Sequence, residues 1–317
     1  MTSSYIAMNY KCNHNCICCP LSTFDRLHSK LDYEILKKQI VDIIAENGGN
    51  GHFTISGGEP TIDNNFIDLI SYLAKLGLDV SVLSNASSCE DKDFVKRIID
   101  AFGENYDKSK FSYVTAIHSN EEKIHDYMTG VTGSYLQTMR GLDNLADADI
   151  NITIKHIMNK YTCSTMVNTF DYLNYHFLEN VEFLFCSMDY TGRCSKNIDK
   201  LFIDYQELKQ HLEDTLDNLE QSKINRKIFV TESPLCMTDP YYWKYYLMHE
   251  EFLSTYIAPN LETRYNKGEN VVNDCNTNYS SCQDCDVKNY CGGIWSSAYE
   301  LGKNHKNFLR PVKVLRK

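Results

Sequence analysis

The chain has no excess of positive charge: 42 acidic residues outnumber 32 basic ones, giving a formal charge of −10. That argues against nonspecific nucleic-acid binding, which needs a basic face. No apolar run approaches the length that a membrane-spanning helix requires, so no membrane partner is expected. The first residues, Met-Thr-Ser-Ser-Tyr-Ile-Ala-Met, carry neither a basic start nor a sustained apolar segment. No secretion signal is read there, and the expected location is cytoplasmic. Internal repeats and low-complexity segments are also missing. What is present is a 317-residue chain with ample apolar and aromatic residues for a core, 22 tyrosines among them. Its length suits one large α/β domain with a smaller appendage. It also has 13 cysteines, clustered towards its two ends. Without an export signal these point to metal ligation or redox chemistry and not to a disulfide scaffold.

Residues 12–19 read Cys-Asn-His-Asn-Cys-Ile-Cys-Cys, a C-x3-C-x2-C spacing on Cys12, Cys16 and Cys19. Three thiolates in one short loop can hold three irons of a [4Fe–4S] cube, which normally takes four cysteine ligands. One iron is then open to chemistry. The alternatives are a zinc knuckle or a set of inert buried thiols, although zinc sites usually pair C-x2-C with a second pair or with histidines.

Strand-like and helix-like segments then alternate. Strands are expected near 4–10, 52–56, 79–84, 111–118, 150–157 and 181–187. Helical material lies between them, with stripes such as Leu36, Ile40, Ile43 and Ile44, or Phe66, Leu69, Ile70 and Leu73. Six β–α units of this length pair in parallel, as an open sheet or a barrel. Functional residues gather where such strands end. The cysteine loop, Gly57-Gly58-Glu59-Pro60, Ser84-Asn85 and His118 all stand at strand C-terminal ends, so one shared site is expected. Beyond residue 222 the pattern changes: a strand near 227–231, Pro-Leu-Cys236, an aromatic stretch over 241–256 read as helical, and a polar loop at 259–281. Cys282-x2-Cys285-x5-Cys291 and a basic tail (Lys303, Lys306, Arg310, Lys313, Arg316, Lys317) complete the chain.

On Cys12, Cys16 and Cys19, the Gly57–Pro60 turn and Ser84-Asn85, the chain resembles a radical S-adenosylmethionine (radical SAM) enzyme along essentially its whole length. Two positions depart from the common pattern. Cys18 replaces an aromatic residue, so either Cys18 or Cys19 is the third ligand, with spacing favouring Cys19. The third strand ends in Ser-Asn-Ala instead of Thr-Asn-Gly. The resemblance implies an α/β partial (β/α)6 TIM-type barrel over 1–221, with a [4Fe–4S] cluster at its open end. S-adenosylmethionine would chelate the unique iron and be cleaved to a 5′-deoxyadenosyl radical that takes a hydrogen atom from substrate. Gly57 and Gly58 would let the backbone approach the cofactor. Glu59 or adjoining carbonyls would receive the methionine ammonium, and Ser84 and Asn85 the ribose or carboxylate. His118, in a His118-Ser…His125-Asp126…Gly130-x2-Gly133-Ser134 segment, would touch the cofactor or substrate. Lys155 faces inward if Thr153 does, since strand side chains alternate, and the cofactor carboxylate is then a candidate partner; a shifted register would leave it exposed. Cys186 or Cys194 could return a hydrogen atom to a substrate radical, the other reading being a small buried hydrophobe.

The second cysteine group resembles the auxiliary-cluster motif of SPASM and twitch domains, assigned here to residues 222–317. Cys282, Cys285 and Cys291 with one upstream thiol, Cys236 or else Cys275, would ligate one auxiliary [4Fe–4S] cluster; zinc is the alternative. Cys-Gly-Gly-Ile-Trp and the His-Ser segment are similar to maturases of the His-Xaa-Ser peptide system. That likeness implies a ribosomally made precursor peptide as substrate and a reductant such as flavodoxin or ferredoxin. A separate leader-binding protein, or the barrel cleft itself, would recognise the peptide, since no leader-gripping module fits before the first strand. A radical enzyme for a small metabolite and a noncatalytic metal protein are the rival readings. The basic tail is read as a solvated terminus, or as a contact for an acidic leader.

Overall fold

The structure is a computed structural model that describes residues 3–21, 32–104, 106–177, 181–247, 254–257, 265–266, 275–277, 279–305 and 308–313. Seven strands follow one another in parallel: β1 (Ser3–Asn9), β2 (His52–Gly57), β3 (Asp79–Leu83), β4 (Phe111–Ala116), β5 (Asn151–Ile157), β6 (Val181–Cys186) and β7 (Ile228–Thr231). Helices alternate with them: α1 (Tyr33–Glu46), α2 (Phe66–Lys75), α3 (Lys92–Phe102), α4 (Glu122–Thr129), α5 (Ser134–Asp147), α6 (Met166–His176), the short α7 (Ile198–Leu201), and α8 (Tyr205–Gln221).

Local chemistry accounts for these elements. In α2 the apolar residues fall at Phe66, Leu69, Ile70 and Leu73, one stripe at helical spacing, and all are buried. The Asp32 carboxylate starts α1 by accepting the Glu34 and Ile35 amides, and Asp204 starts α8 by accepting the Gln206 amide. Along β5 the side chains alternate: Ile152, Ile154 and His156 are buried beneath helices, while Thr153, Lys155 and Ile157 are only half-buried on the opposite face.

That second face lines a lumen. Tyr5 of β1 stands within electrostatic reach of Lys155 of β5 and Cys186 of β6, although three further strands separate β1 from β5 in the sheet. The sheet therefore curls, as a partial (β/α) barrel does. Near the N-terminal ends of the strands the lumen is crossed by a polar row: His52 Nε2 to Ser81 Oγ at 2.8 Å, then Ser81 Oγ to Ser112 Oγ at 2.7 Å.

Three strands from beyond residue 221 belong to this same sheet. β7 extends the edge at β6, and β8 (Ser254–Ile257) pairs in parallel with β1 and carries the antiparallel β9 (Tyr265–Asn266). The aromatic stretch expected to be helical is a 3-10 turn over Pro240–Tyr245 followed, after residues outside the described set, by β8. Its side chains explain the difference. Tyr241 and Tyr245 donate to Glu220, Tyr242 donates to Asp217, and Lys244 pairs with Glu220, so the stretch is fastened to the acidic face of α8. A two-residue antiparallel ladder, β10 (Cys275–Asn276) with β11 (Ile294–Trp295), precedes α9 (Ser296–Gly302). Among the described residues no helix is long and apolar enough to cross a membrane.

Candidate functional site

The cysteine loop leaves β1 and is held on three sides by hydrogen bonds. From the end of α4, Thr129 O accepts from Asn15 N (2.8 Å) and Met128 O accepts from Ile17 N (2.9 Å). From residues beyond β6, the Arg193 and Cys194 amides donate to Cys19 O at 3.0 and 3.2 Å, and Asn197 Nδ2 donates to Ile17 O. From the turn after β3, Asn85 Nδ2 donates to Asn13 Oδ1 (2.8 Å) and Asn13 Nδ2 donates to Ser87 Oγ (2.8 Å). Cys12, Cys16 and Cys19 are half-buried, whereas Cys18 turns into the core at 5% exposure, where burial pushes its thiol up to about 12. Three thiols on one partly open loop, with the His14 amide donating to Cys12 Sγ at 3.3 Å, form a donor set that fits a cube gripped from one side.

The sequence reading assigned Gly57 and Gly58 to the cofactor, but the fold itself requires them. A Cβ at Gly57 would stand 2.1 Å from Asn9 O, and one at Gly58 would stand 2.1 Å from Lys11 O. The turn lies directly on the start of the cysteine loop, with Gly58 N donating to Asn9 O and Glu59 N to Lys11 O, both at 2.7 Å.

Glu59 faces inward at 1% exposure. Its Oε1 accepts from Thr61 N (3.0 Å), Thr61 Oγ1 (2.5 Å) and Ser84 Oγ (2.8 Å), and its Oε2 accepts from Asn85 N (2.8 Å). Burial raises its pKa and these bonds oppose the rise. The carboxylate thus ties the Gly57–Pro60 turn, with Pro60 opening a 3-10 turn, to the Ser84-Asn85 turn. Ser84 Oγ has no capacity left. It donates to Glu59 and accepts from Tyr113 OH (2.9 Å) and Ala86 N (3.1 Å), which uses its one hydrogen and both lone pairs. The expected direct reach of Ser84 to ribose or carboxylate is therefore not available.

His118 ends up behind the cysteine loop at 2% exposure, its amide donating to His125 Nδ1 (3.3 Å) and the two rings 5.4 Å apart. Burial lowers both pKa values, His125 to about 3, so both imidazoles are neutral. The rest of that segment is a joint between helices: Asp126 accepts from Gly133 N, Ser134 Oγ and Tyr135 N. Lys155 does lie in the lumen, where its ammonium is within electrostatic reach of Cys186, Glu232 and Tyr5. Cys186 is 1% exposed, and burial pushes its thiol up to about 12 against the pull of Lys155. Cys194 is fully buried, donating to Met188 Sδ at 3.2 Å. The sequence reading missed Tyr5 and Glu232. Alternation along β1 pointed to Tyr5; nothing pointed to Glu232, which a left-handed backbone (φ 55°) directs into this group.

The second cysteine group lines a cavity formed by Cys236, Cys282, Cys285 and Cys291 with Lys288 and Arg310. Its sulfurs accept main-chain amides: Leu235 N (3.3 Å) and Gly293 N (3.4 Å) on Cys291, and Val312 N (3.4 Å) on Cys285. Cys275 is not on this wall; it lies in β10, its thiol 3.9 Å from Glu232 O. An all-sulfur set ringed by amides and two cations suits an iron–sulfur cluster or zinc. Among the described residues no group of three or more His, Cys, Asp or Glu closes to hold a single ion, neither here nor at Cys12, Cys16 and Cys19. The described part of the basic tail packs here, with Asp286 N donating to Val312 O (2.9 Å) and Lys313 to Asp284 O. Lys306, Arg316 and Lys317 lie outside the described residues.

Comparison with known proteins agrees with this geometry. The chain is 24% identical over 226 residues to an Fe-coproporphyrin III synthase of Methanosarcina barkeri (strain Fusaro / DSM 804), covering 71% of this chain and 53% of that protein. It thus spans about half the length of that curated relative. Streptococcus suis SuiB bound to S-adenosylmethionine superposes with a TM-score of 0.65 at 16% identity, over 98% of this chain and 76% of SuiB. SuiB bound to precursor peptide SuiA gives 0.64 at 15% identity, over 98% and 74%. At these identities the likeness establishes the fold. The family model described as "Radical SAM superfamily" matches residues 6–173, more than half of the chain. That span holds the three-thiol loop, the turn docked on it and the turn after β3, and the chain belongs to the Radical SAM superfamily.

Proposed function

We propose that this protein is a radical SAM enzyme that modifies a ribosomally made peptide, by crosslinking or epimerisation that begins with hydrogen-atom abstraction. The observation that carries this reading is the likeness to SuiB over 98% of the chain, which extends through the second cysteine group, SuiB having been captured with a precursor peptide. Family membership implies a [4Fe–4S] cluster and S-adenosylmethionine, which together supply a 5′-deoxyadenosyl radical when bound. Cys12, Cys16 and Cys19 hold the first cluster, and the core position of Cys18 supports leaving it out. Because the Glu59 carboxylate is engaged, main-chain carbonyls of the Gly57–Pro60 turn receive the methionine ammonium, and the Asn85 amide faces the cofactor. Cys236, Cys282, Cys285 and Cys291 hold one auxiliary cluster, a reading favoured over Cys275 by their common cavity. Lys155 and Glu232, with the neutral Tyr5 phenol beside them, place charge in the lumen where substrate enters. Cys186, beside Lys155 in this lumen, is the candidate hydrogen-atom donor. A flavodoxin or ferredoxin supplies electrons, and the barrel mouth or a separate protein binds the leader, in a cytoplasmic setting.

The likeness to a coproporphyrin-forming protein favours a second reading, a small-metabolite substrate. The test is anaerobic reconstitution, an iron count and an assay for 5′-deoxyadenosine, with candidate peptides and porphyrins added in parallel. About eight irons per chain, falling to about four in the Cys12/Cys16/Cys19→Ala variant with loss of product, is the expected result. Zinc in place of iron, or loaded clusters without cleavage, would sink the enzymatic reading. Turnover stimulated by porphyrin and not by peptide would select the second.

A further inference from the structure

Behind the two cofactor turns runs a one-way chain of buried hydrogen bonds. Cys89 Sγ donates to Tyr113 OH at 3.3 Å, Tyr113 OH donates to Ser84 Oγ at 2.9 Å, and Ser84 Oγ donates to Glu59 Oε1 at 2.8 Å. Cys89 and Tyr113 are fully buried, and Ser84 is 6% exposed. Glu59, which accepts the Thr61 and Asn85 amides on its two oxygens, fixes each direction. A carboxylate only accepts, so the Ser84 hydrogen points at it. The Ala86 amide occupies one Ser84 lone pair, and Tyr113 must therefore donate to the other. The tyrosine oxygen is then free to accept the Cys89 thiol.

The chain ends where the two turns and the cysteine loop join. Glu59 Oε2 accepts the Asn85 amide, and Asn85 Nδ2 grips Asn13, between Cys12 and Cys16. The Ser87 hydroxyl closes the ring onto Asn85 Oδ1 at 2.7 Å. A rotation of Ser84 would release Glu59 from one turn and shift Asn85 in the other. Tyr113 prevents it, because its ring is set in the core from β4 and its hydroxyl has one partner to give to. Phenylalanine would pack as well there, so the hydroxyl serves the chain and not the core.

We propose that Tyr113 is a positioning residue for S-adenosylmethionine: acting through Ser84 and Glu59, it holds the Gly57–Pro60 and Ser84-Asn85 turns at the separation the cofactor requires. This rests on the function proposed above. The test compares reconstituted wild type, Tyr113→Phe, Ser84→Ala and the double variant by calorimetric binding of S-adenosylmethionine, by the change it produces in the electron paramagnetic resonance signal of the reduced cluster, and by melting temperature. Tyr113→Phe should weaken binding roughly tenfold, the worth of one buried hydrogen bond. The spectral change should need correspondingly more cofactor. The double variant should bind as Ser84→Ala does, because Tyr113 acts only through Ser84. Binding by Tyr113→Phe within twofold of wild type, whatever its melting temperature, overturns the proposal, as do losses that add in the double variant. If Tyr113→Phe does not fold, Ser84→Ala carries the test, and wild-type affinity in it overturns the proposal. A wild-type protein that binds no S-adenosylmethionine overturns the underlying functional reading instead.

Discussion

The two cysteine sites are built on opposite principles. The first is a contiguous loop whose main chain is bonded to α4 and to residues 193–197 and whose Asn13 side chain is bonded to the turn after β3, with the parallel sheet behind it. Its shape follows from the fold. The second draws Cys236 to within reach of thiols some fifty residues later, among 3-10 turns and a two-residue ladder. Several of its bonds end on the sulfurs themselves. A site whose hydrogen bonds terminate on its ligands depends on the charge those ligands acquire when metal binds. The fold around it holds the first loop, and the proposed auxiliary cluster would complete the second group.

Stripping the metals is the largest test of that contrast. A structural cluster present at 100 times its dissociation constant stabilises what it holds by about 2.7 kcal/mol. Tryptic cleavage after Lys288 and Lys303, beside the second site, should therefore rise on the order of 100-fold in the stripped protein. Cleavage after Lys11 and Arg193, which flank the first loop, should stay nearly constant. Mass spectrometry of a digestion time course reads both at once, and faster loss at Lys11 would reverse the comparison.

The pH dependence of each histidine is smaller and falls on the barrel. Burial lowers His125 to about 3 and His156 to about 4, and both are at most 1% exposed. His125 supports the first loop from α4, and His156 packs between Phe170 and Phe185 with Nδ1 donating to Ile117 O. The unfolded chain binds these protons near pH 6.5 and the folded chain does not. The stability they contribute is complete above pH 6.5 and is lost as pH falls towards 4 and 3, at about 1.4 kcal/mol per unit for each. Urea unfolding of the stripped protein at pH 7.5 and 5.5 should differ by about 3 kcal/mol from this pair. His156→Gln should remove about half of that dependence. An unchanged slope would mean the imidazole is not held neutral.

The same contrast sets what could be read in the sequence. The six β–α units were legible because hydrophobic spacing changes period at each boundary, and the first site was legible because its three thiols are contiguous. What was not legible depends on distance in space. No local pattern says that Glu59 spends its oxygens on Thr61, Ser84 and Asn85, or that Ser84 is thereby saturated. Only the cavity wall groups Cys236, and not Cys275, with Cys282, Cys285 and Cys291. The tyrosines of 241–245 look like a helix until the acidic face of α8 is placed beside them.

The smallest expected effect is at Ala86, where the family pattern has glycine. Its backbone is left-handed (φ 58°, ψ 4°), which costs an L-residue about 1–2 kcal/mol. It cannot relax, because α5 presses on it: Thr138 Oγ1 donates to Asn85 O at 3.0 Å, and a Cβ at Gly141 would stand 2.2 Å from Ala86 O. Ala86→Gly would relieve that strain but give up a fully buried methyl worth about 0.8 kcal/mol. It would also add about 0.5–1 kcal/mol of chain entropy to be lost on folding. These nearly cancel, so the stability change should be under about 0.5 kcal/mol, a shift in melting temperature of about 1–2 °C. Alanine is tolerated here because a buried methyl offsets the strain. A β-branched side chain cannot make the same exchange, and Ala86→Val should cost more than about 2 kcal/mol. If calorimetry instead finds glycine clearly stabilising, the turn is strained beyond what its methyl recovers, and the first site is less fully preformed than its hydrogen bonds imply.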